Sequence, residues 1–317
     1  MASSLPTPVL AGPPPAPPAP PAAAPPRAVP VAGLLFAACT VVCWASAFVA
    51  IRIAVRSFSP QEIAFLRFLS AGAALGVVAL ATRMPLPRGR DLPRFAALGL
   101  VGHALYNLAL AQGQAHVPAA TAGFIIASAP IWMVLIAASR GAEALSAAGI
   151  GGMVPSFAGV GVIAVGRGST LALDRSALVL VVAAAMQAVY SMAQRPLLRR
   201  YSALQVSTFA VLAALLWLAP FAPGALAHAA RSPWRQTAAA LFLGVVPTAI
   251  GYSTWSAAMK RLRPSAAGSF LYLVPAVVVA LAWAVLGEIP SALSVAGGGL
   301  VVAGVVVVQR LGQARPR

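Results

Sequence analysis

Long apolar segments restrict the folds open to this chain more than any other feature of its sequence. From residue 31 onward they run for about 18 to 22 residues, the length that an α-helix needs to cross about 30 Å of hydrocarbon. They are continuous and do not alternate between polar and apolar residues, which excludes membrane-spanning β-strands. We therefore predict an all-α membrane protein with ten transmembrane helices. The predicted spans lie near residues 31–51, 61–81, 95–113, 118–138, 145–166, 177–194, 203–221, 237–258, 265–286 and 291–309.

Composition supports a protein that is solvated by lipid. Of the 317 residues, 60% are hydrophobic and 9% are charged, whereas soluble domains carry about 25% charged residues. The net charge of +17 would also suit a nucleic-acid-binding protein. However, the basic residues form short clusters between apolar segments, such as Arg83, Arg88, Arg90 and Arg94. This distribution favours loops beside a lipid bilayer and excludes a nucleic-acid partner.

The basic residues also predict the orientation of the chain. If the N-terminus is placed on one side, that side holds 15 Lys and Arg residues and the other side holds six. The positive-inside rule then puts both termini in the cytoplasm. Residues 1–30 are rich in proline and alanine and predict a disordered cytoplasmic tail, with a second tail at 311–317. With one lysine among 22 basic residues and no organelle-targeting pattern, we expect the plasma membrane of a bacterium.

An internal repeat relates the two halves of the chain through a shift of 145 residues. The matched pairs include Gly99 with Gly244, Gly123 with Gly268, Pro130 with Pro275, Glu143 with Glu288, and Gly159 with Gly304. We predict two five-helix repeats, at residues 31–167 and 176–310. Because five is odd, the second repeat enters the membrane with inverted orientation. Inverted repeats are typical of secondary transporters, in which one half rocks against the other around a central site.

Polar side chains inside the spans are candidates for lining a central cavity, because a polar group in hydrocarbon needs a partner or a wet cavity. The third and eighth spans each carry such residues at helical spacing, and the first and sixth spans add more. The candidates are Trp44, His103, Tyr106, Asn107, Gln187, Tyr190, Thr248, Tyr252 and Trp255. Hydrogen bonding between packed helices is the alternative interpretation for each residue. His103 also offers a route for proton coupling, because histidine changes charge near neutral pH.

Three further sets of residues have predicted structural roles. Pro130 and Pro275 lie within spans and are expected to kink them, as hinges or as fixed bends. Glu143 and Glu288 each precede a span, where a carboxylate stabilises a helix N-terminus. Arg67 lies in the second span, and we expect its side chain to extend toward the nearby membrane surface.

Motifs for catalysis and cofactor binding are missing from the sequence. There is no GxxxxGK[ST] phosphate-binding loop, no HExxH or GxSxG motif, and no cluster of carboxylates. Cys39 and Cys43 have no neighbouring histidine or acid, so a metal site is not indicated. We predict that the protein is not an enzyme and needs no cofactor.

The first half contains WASAFVAIR (44–52), SPQEIAFLRFLSA (59–71), LGLVGHALYNLAL (98–110) and ASAPIWMVL (127–135), and the second half contains a similar series over 243–288. These segments resemble the EamA-like family of the drug/metabolite transporter superfamily. The resemblance implies ten helices, cytoplasmic termini and a cavity lined by the first, third, fourth, sixth, eighth and ninth spans. Members of this family export or import amino acids, other metabolites, drugs or nucleotide sugars. For this chain we expect a secondary transporter that exports amino acids, drugs or related solutes by alternating access. A lipid-processing membrane enzyme and a non-transporting scaffold are the alternatives. Proton coupling, counter-solute coupling and the oligomeric state are left open.

Overall fold

The computed structural model describes residues 31–139, 151–155, 157–159, 162, 175–262, 267 and 270–311, and every regular element in these ranges is helical. By length and composition, seven helices in these ranges can cross a membrane. They are α1 (Val31–Ala54), α2 (Pro60–Ala81), α3 (Gly89–His116), the pair α4 (Ala119–Ile126) and α5 (Ala129–Ser139), α6 (Arg175–Leu198), α7 (Ala203–Ala229) and α8 (Trp234–Arg261).

Two shorter apolar helices follow, namely α9 (Leu273–Leu286) and α10 (Ala292–Leu311), and residues 151–155 and 157–159 are helical as well. Helix α9 lies within the predicted span 265–286, whereas α10 extends two residues beyond the predicted span 291–309. The predicted fifth span, 145–166, falls largely outside the described residues, as do Glu143 and the tails at 1–30 and 312–317. In the described residues the structure therefore shows helices alone, of which seven are long and apolar enough to span a membrane and others are shorter.

Helices α2 and α7 begin with the same capping arrangement. In α2, the Ser59 hydroxyl accepts from the Glu62 amide, and the Glu62 side chain accepts from the Ser59 amide. Ser202 and Gln205 repeat this capping box at the start of α7. Each box satisfies two amides that a helix start would otherwise leave unpaired. The chain thus starts corresponding helices of its two halves by the same local chemistry.

Helices α3 and α8 each contain a π-helical segment, at Leu98–Leu105 and Gly244–Ile250. The 145-residue shift places these segments on each other. Each carries a glycine that packs closely against another helix. A Cβ on Gly99 would lie 2.7 Å from the amide nitrogen of Ala214 in α7, and one on Gly244 would overlap Ser70 and the Arg67 carbonyl in α2. Hence α3 packs against α7 in the same way that α8 packs against α2.

Both predicted proline sites interrupt their helices. The chain turns at residues 127–128, between α4 and α5, and Pro130 is the second residue of α5. In the second half it turns at residues 271–272 before α9, in which Pro275 is the third residue. Because proline has no amide hydrogen and restricts the residue before it, a break shortly upstream follows from its chemistry.

The packing of the helices is equivalent in the two halves. Helix α1 contacts α8 and α9, whereas α6 contacts α3 and the pair α4 and α5. The described core is rich in alanine, with large side chains such as Phe68, Tyr190 and Trp255 fully buried among them. Small residues permit close approach of helices in a membrane, where dispersion replaces the hydrophobic effect as the main attraction.

Candidate substrate site

A cavity of about 40 Å³ lies in the centre of the bundle, beside the interruptions of both proline-containing segments. Because one water molecule needs about 10–15 Å³, this space holds only a few water molecules. Sites for organic ligands are much larger, about 300–1,000 Å³, so the structure represents a closed arrangement. The cavity is lined by Trp44, Ala47, Phe48, Arg67, Tyr106, Leu110, Gly123, Ile126, Ala127, Ala129, Gln187, Tyr252, Leu271 and Val274.

Aromatic rings from α1, α3, α6 and α8 form a continuous cluster against this cavity. Tyr252 lies at its centre, with ring centroids 5.4 Å from Trp44, 4.3 Å from His103 and 5.3 Å from Tyr190. Trp44 also packs on Trp255 at 5.2 Å. Tilted and edge-to-face contacts at these distances are the favourable geometries for aromatic pairs. The cluster thus gives one side of the cavity a rigid wall that draws on both halves of the chain.

The nine candidate residues from the sequence come together in this region, but they divide into two groups. Four of them line the cavity, namely Trp44, Tyr106, Gln187 and Tyr252. The others are buried behind these, namely His103, Asn107, Tyr190, Thr248 and Trp255. The amide nitrogen of Asn107 donates to the His103 carbonyl at 2.7 Å and lies 3.5 Å from the Tyr252 hydroxyl. These contacts make Asn107 a support for the wall.

Two cavity-lining side chains carry buried polar atoms that have no hydrogen-bond partner within the described part of the chain. Both amide atoms of Gln187 and the indole nitrogen of Trp44 belong to this group. Gln187 is only 3% exposed. Buried polar groups are nearly always paired in native structures, so orphaned donors and acceptors on a cavity wall are places where a ligand can bind.

The expectation that Arg67 extends to the membrane surface is wrong. Its side chain is buried, with the residue 3% exposed, and it lines the central cavity. Its Nε donates to the Thr248 hydroxyl at 2.6 Å. The Thr248 hydroxyl in turn donates to the Leu243 carbonyl, five residues earlier at 2.8 Å, so the π-helical segment holds the acceptor in place. Insertion scales put the cost of an arginine at the centre of a membrane helix at about 2.5–3.5 kcal/mol, and intramembrane charges usually mark function.

The role predicted for Glu288 needs a correction. Its carboxylate does not cap α10, the helix that follows it; Ser291 does this by accepting from the Ser294 amide. Instead, Glu288 accepts from the Ala119 amide at 3.1 Å, at the start of α4 in the other half. It also forms an ion pair with Arg52 of α1 at 3.0 Å. A carboxylate does stabilise a helix N-terminus here, but the helix is remote in sequence.

Polar contacts between the halves close both ends of the bundle. At the end of α1 that carries Arg52, the closure is the Arg52–Glu288 pair. At the other end, Asp91 of the first half accepts from the Tyr201 hydroxyl at 2.8 Å and from Arg200 at 2.9 Å. Asp91 is 0% exposed. The central cavity therefore lies between two polar closures, each of which joins one half to the other.

The π-helical segments are a structural feature beside the cavity that the sequence analysis did not predict. They carry His103 and Thr248 at matching positions, and single-turn π distortions are often found at functional sites. Their signals in the sequence are the paired glycines, Gly99 and Gly244, and Pro247 inside the second segment, where proline removes one helical hydrogen bond.

Comparisons with known proteins agree with this architecture. A sequence model of the EamA-like transporter family matches residues 31–165 and again 175–310. The "Probable terminal-alkyne amino-acid exporter" of Streptantibioticus cattleyicolor is 39% identical over 271 residues, covering 86% of this chain and 91% of that protein. The "Uncharacterized transporter YdfC" of Bacillus subtilis is 30% identical over 262 residues, covering 83% and 86%. One crystal structure aligns with this chain at a TM-score of 0.62 and 22% sequence identity, covering 88% of this chain and 96% of the other. At this identity the likeness shows a shared fold alone.

Proposed function

The chain belongs to the EamA-like transporter family, and we propose that it is a secondary transporter that exports small organic solutes by alternating access. As its relatives are, it is a membrane transporter and not an enzyme. The lipid-processing alternative is therefore set aside. Amino acids, drugs and related solutes are the proposed cargo, and the name of the relative from Streptantibioticus cattleyicolor supports amino acids and the outward direction.

The proposed architecture is ten spans in two inverted repeats, at residues 31–167 and 176–310. Matching π-helical segments, matching proline interruptions and equivalent helix contacts support this arrangement. We propose the plasma membrane of a bacterium, with both termini and the tails at 1–30 and 311–317 in the cytoplasm. Pro130 and Pro275 are proposed as hinges, and Glu143 and Glu288 as structural carboxylates.

The observation that carries the proposal is the central cavity, lined from both halves and closed at both ends by contacts between them. Breaking one closure while keeping the other would expose the cavity to one side of the membrane, which is the requirement for alternating access. A scaffold would instead be expected to fill its centre with paired or apolar groups. The unpaired amide of Gln187 favours a site that binds solute.

Transport by purified protein in proteoliposomes tests the proposal. The panel contains radiolabelled amino acids, nucleosides and cationic drugs, and empty liposomes give the background. We expect at least one solute to accumulate faster than background, and Gln187→Leu to slow its transport. Arg56→Gln is the matched control, because Arg56 is exposed and lies outside the cavity. If every solute enters at the background rate under pH and counter-solute gradients of either direction, the proposed function is wrong.

A further inference from the structure

We propose that the central cavity is a receptor for a carboxylate group on the transported solute, with Arg67 as the residue that binds this group. The inference rests on the proposed transport function and narrows it to one chemical class of cargo. Solutes with a carboxylate and a compact apolar body match the groups that line the site, which must open to admit them. Cationic solutes without a carboxylate do not fit, because Arg67 repels them.

The first support is the charge balance of the described residues. Five acids occur in the whole chain, and three of them are described. Each of the three has a basic neighbour outside the cavity: Glu288 pairs with Arg52, Asp91 with Arg200, and Glu62 with His228. No carboxylate of the described chain pairs with Arg67, although its side chain is buried. A buried cation without a counter-ion favours an anionic ligand.

The second support is the way in which Arg67 is held. Its Nε donates a hydrogen bond to the Thr248 hydroxyl, and this hydroxyl donates in turn to the Leu243 carbonyl. This contact fixes the guanidinium and leaves the four N–H donors of its two terminal nitrogens. A planar pair of such donors matches the two oxygens of a carboxylate. Thr248 is thus a positioning residue, and Arg67 is the one that touches the solute.

The third support comes from other groups on the same cavity wall. Gln187 presents an unpaired amide donor and an unpaired acceptor, buried at 3% exposure. In addition, Ala129 and Val274 line the cavity at the beginning of α5 and of α9, helices of 11 and 14 residues. The N-terminal end of a helix carries a partial positive charge, and interrupted helices in transporters direct it at anionic groups.

The remaining wall defines the rest of the ligand. Trp44, Tyr106 and Tyr252 present aromatic surfaces on the same cavity as Arg67. Such surfaces accept an aliphatic or aromatic side chain, and their faces also attract the ammonium group of an amino acid. The expected solute therefore has one carboxylate, a group that pairs with the Gln187 amide, and a short apolar side chain.

Binding by the purified full-length protein in nanodiscs tests the proposal through thermal stability, because a ligand of the folded state raises the melting temperature. The probes form matched sets that differ only at the carboxylate. They are L-norvaline with L-norvalinamide, and L-phenylalanine with L-phenylalaninamide and phenethylamine. We expect L-norvaline or L-phenylalanine to bind the wild-type protein with an affinity on the order of 30-fold above that of the corresponding amide. This ratio is typical when one partner of a buried charge pair is removed.

Two variants locate the effect. Arg67→Gln should reduce the affinity for the carboxylate on the order of 30-fold and bring it to that of the amide, whereas the exposed control Arg56→Gln should leave it unchanged. If Arg67→Gln does not fold, Gln187→Leu provides a second variant, and the comparison of carboxylate with amide on wild type needs no variant. Equal binding of carboxylate and amide, or unchanged binding by Arg67→Gln, overturns the proposal.

Transport in proteoliposomes separates this proposal from the proposed function. If the wild-type protein transports cationic or neutral solutes and none that carries a carboxylate, the proposal of a carboxylate receptor is wrong and the proposed transport function is retained. If wild type moves no solute, both are wrong. Transport of a carboxylate solute that Arg67→Gln abolishes and Arg56→Gln retains supports both.

Discussion

Replacement of Glu288 by glutamine should destabilise the protein by about 1–2 kcal/mol, because it removes one charge from the contact between the two halves. The carboxylate lies 3.0 Å from Arg52 Nε and 3.1 Å from the Ala119 amide. Glutamine has nearly the same shape and keeps an oxygen that can accept from Ala119. The change therefore isolates the contribution of the charge from that of the hydrogen bond.

The magnitude follows from the exposure of the pair. The side chains of Arg52 and Glu288 are 26% and 22% exposed, so solvent screens their attraction and the ion pair contributes up to about 1 kcal/mol. The negative charge at the start of α4 contributes a further 0.3–1 kcal/mol, approximately, through the helix dipole. Glu288→Ala also removes the acceptor for Ala119, which adds about 1 kcal/mol to the loss.

The free energy of unfolding is measured on the purified protein in mixed micelles, by titration with a denaturing detergent. A double-mutant cycle with Arg52→Gln should give a coupling free energy of up to about 1 kcal/mol, because the two side chains are in direct contact. Arg56→Gln is the control. It also removes one charge, but Arg56 is exposed and forms no ion pair within the described residues, so its replacement should cost less than that of Glu288.

Two results would contradict this reasoning. If Glu288→Gln costs no more free energy than Arg56→Gln, the charge of Glu288 adds nothing to the contact between the halves. If the cycle gives additive losses, Arg52 and Glu288 do not interact in solution, and the closure at this end of the bundle must have another origin.

Three further predictions follow from the packing and the charge distribution. Gly244→Ala should destabilise the folded protein by about 1–3 kcal/mol, because the added Cβ would overlap α2. Gly76→Ala is the control and should not lower the melting temperature, because no atom lies within 4 Å of the added Cβ. Asp91→Asn should lower the melting temperature by weakening the bond from Tyr201, at a cost of about 1–3 kcal/mol. Alkaline phosphatase fused after Ser232 should be active, and a fusion after Tyr201 should be inactive, if both termini are cytoplasmic.

The positions of the membrane helices and of the aromatic and polar cluster could be predicted from the sequence, because both depend on local periodicity. An apolar segment of sufficient length becomes a helix wherever it packs, and residues such as His103 and Asn107, four apart, share a face of any helix. The effect of proline on a helix is equally local, so the interruptions before Pro130 and Pro275 could also be predicted from the sequence.

The features that the sequence analysis missed depend on contacts between segments far apart in the chain. Arg67 is held in the cavity by Thr248, 181 residues away, and Glu288 caps a helix 169 residues earlier. Nothing near Arg67 distinguishes a side chain that extends to the surface from one that turns inward. A π-helical segment is also difficult to predict, because it changes the hydrogen-bond register without changing the apolar pattern.

The differences between the repeats carry as much information as the matches. Gly99 and Gly244, Pro130 and Pro275 are matched residues that shape the bundle. Arg67, in contrast, corresponds to Ala210 when α2 and α7 are aligned on their capping serines, Ser59 and Ser202, so only one half can provide the cationic group.

The position that holds Arg67 is unmatched as well, because Thr248 corresponds to His103, which is packed among aromatic rings. Ala210→Arg alone would therefore lack the hydroxyl that fixes the guanidinium, and a second receptor would also need His103→Thr. In the proposed mechanism, the symmetry of the repeat provides two alternative closures, and its local violation at Arg67 and Thr248 provides the selectivity for a carboxylate.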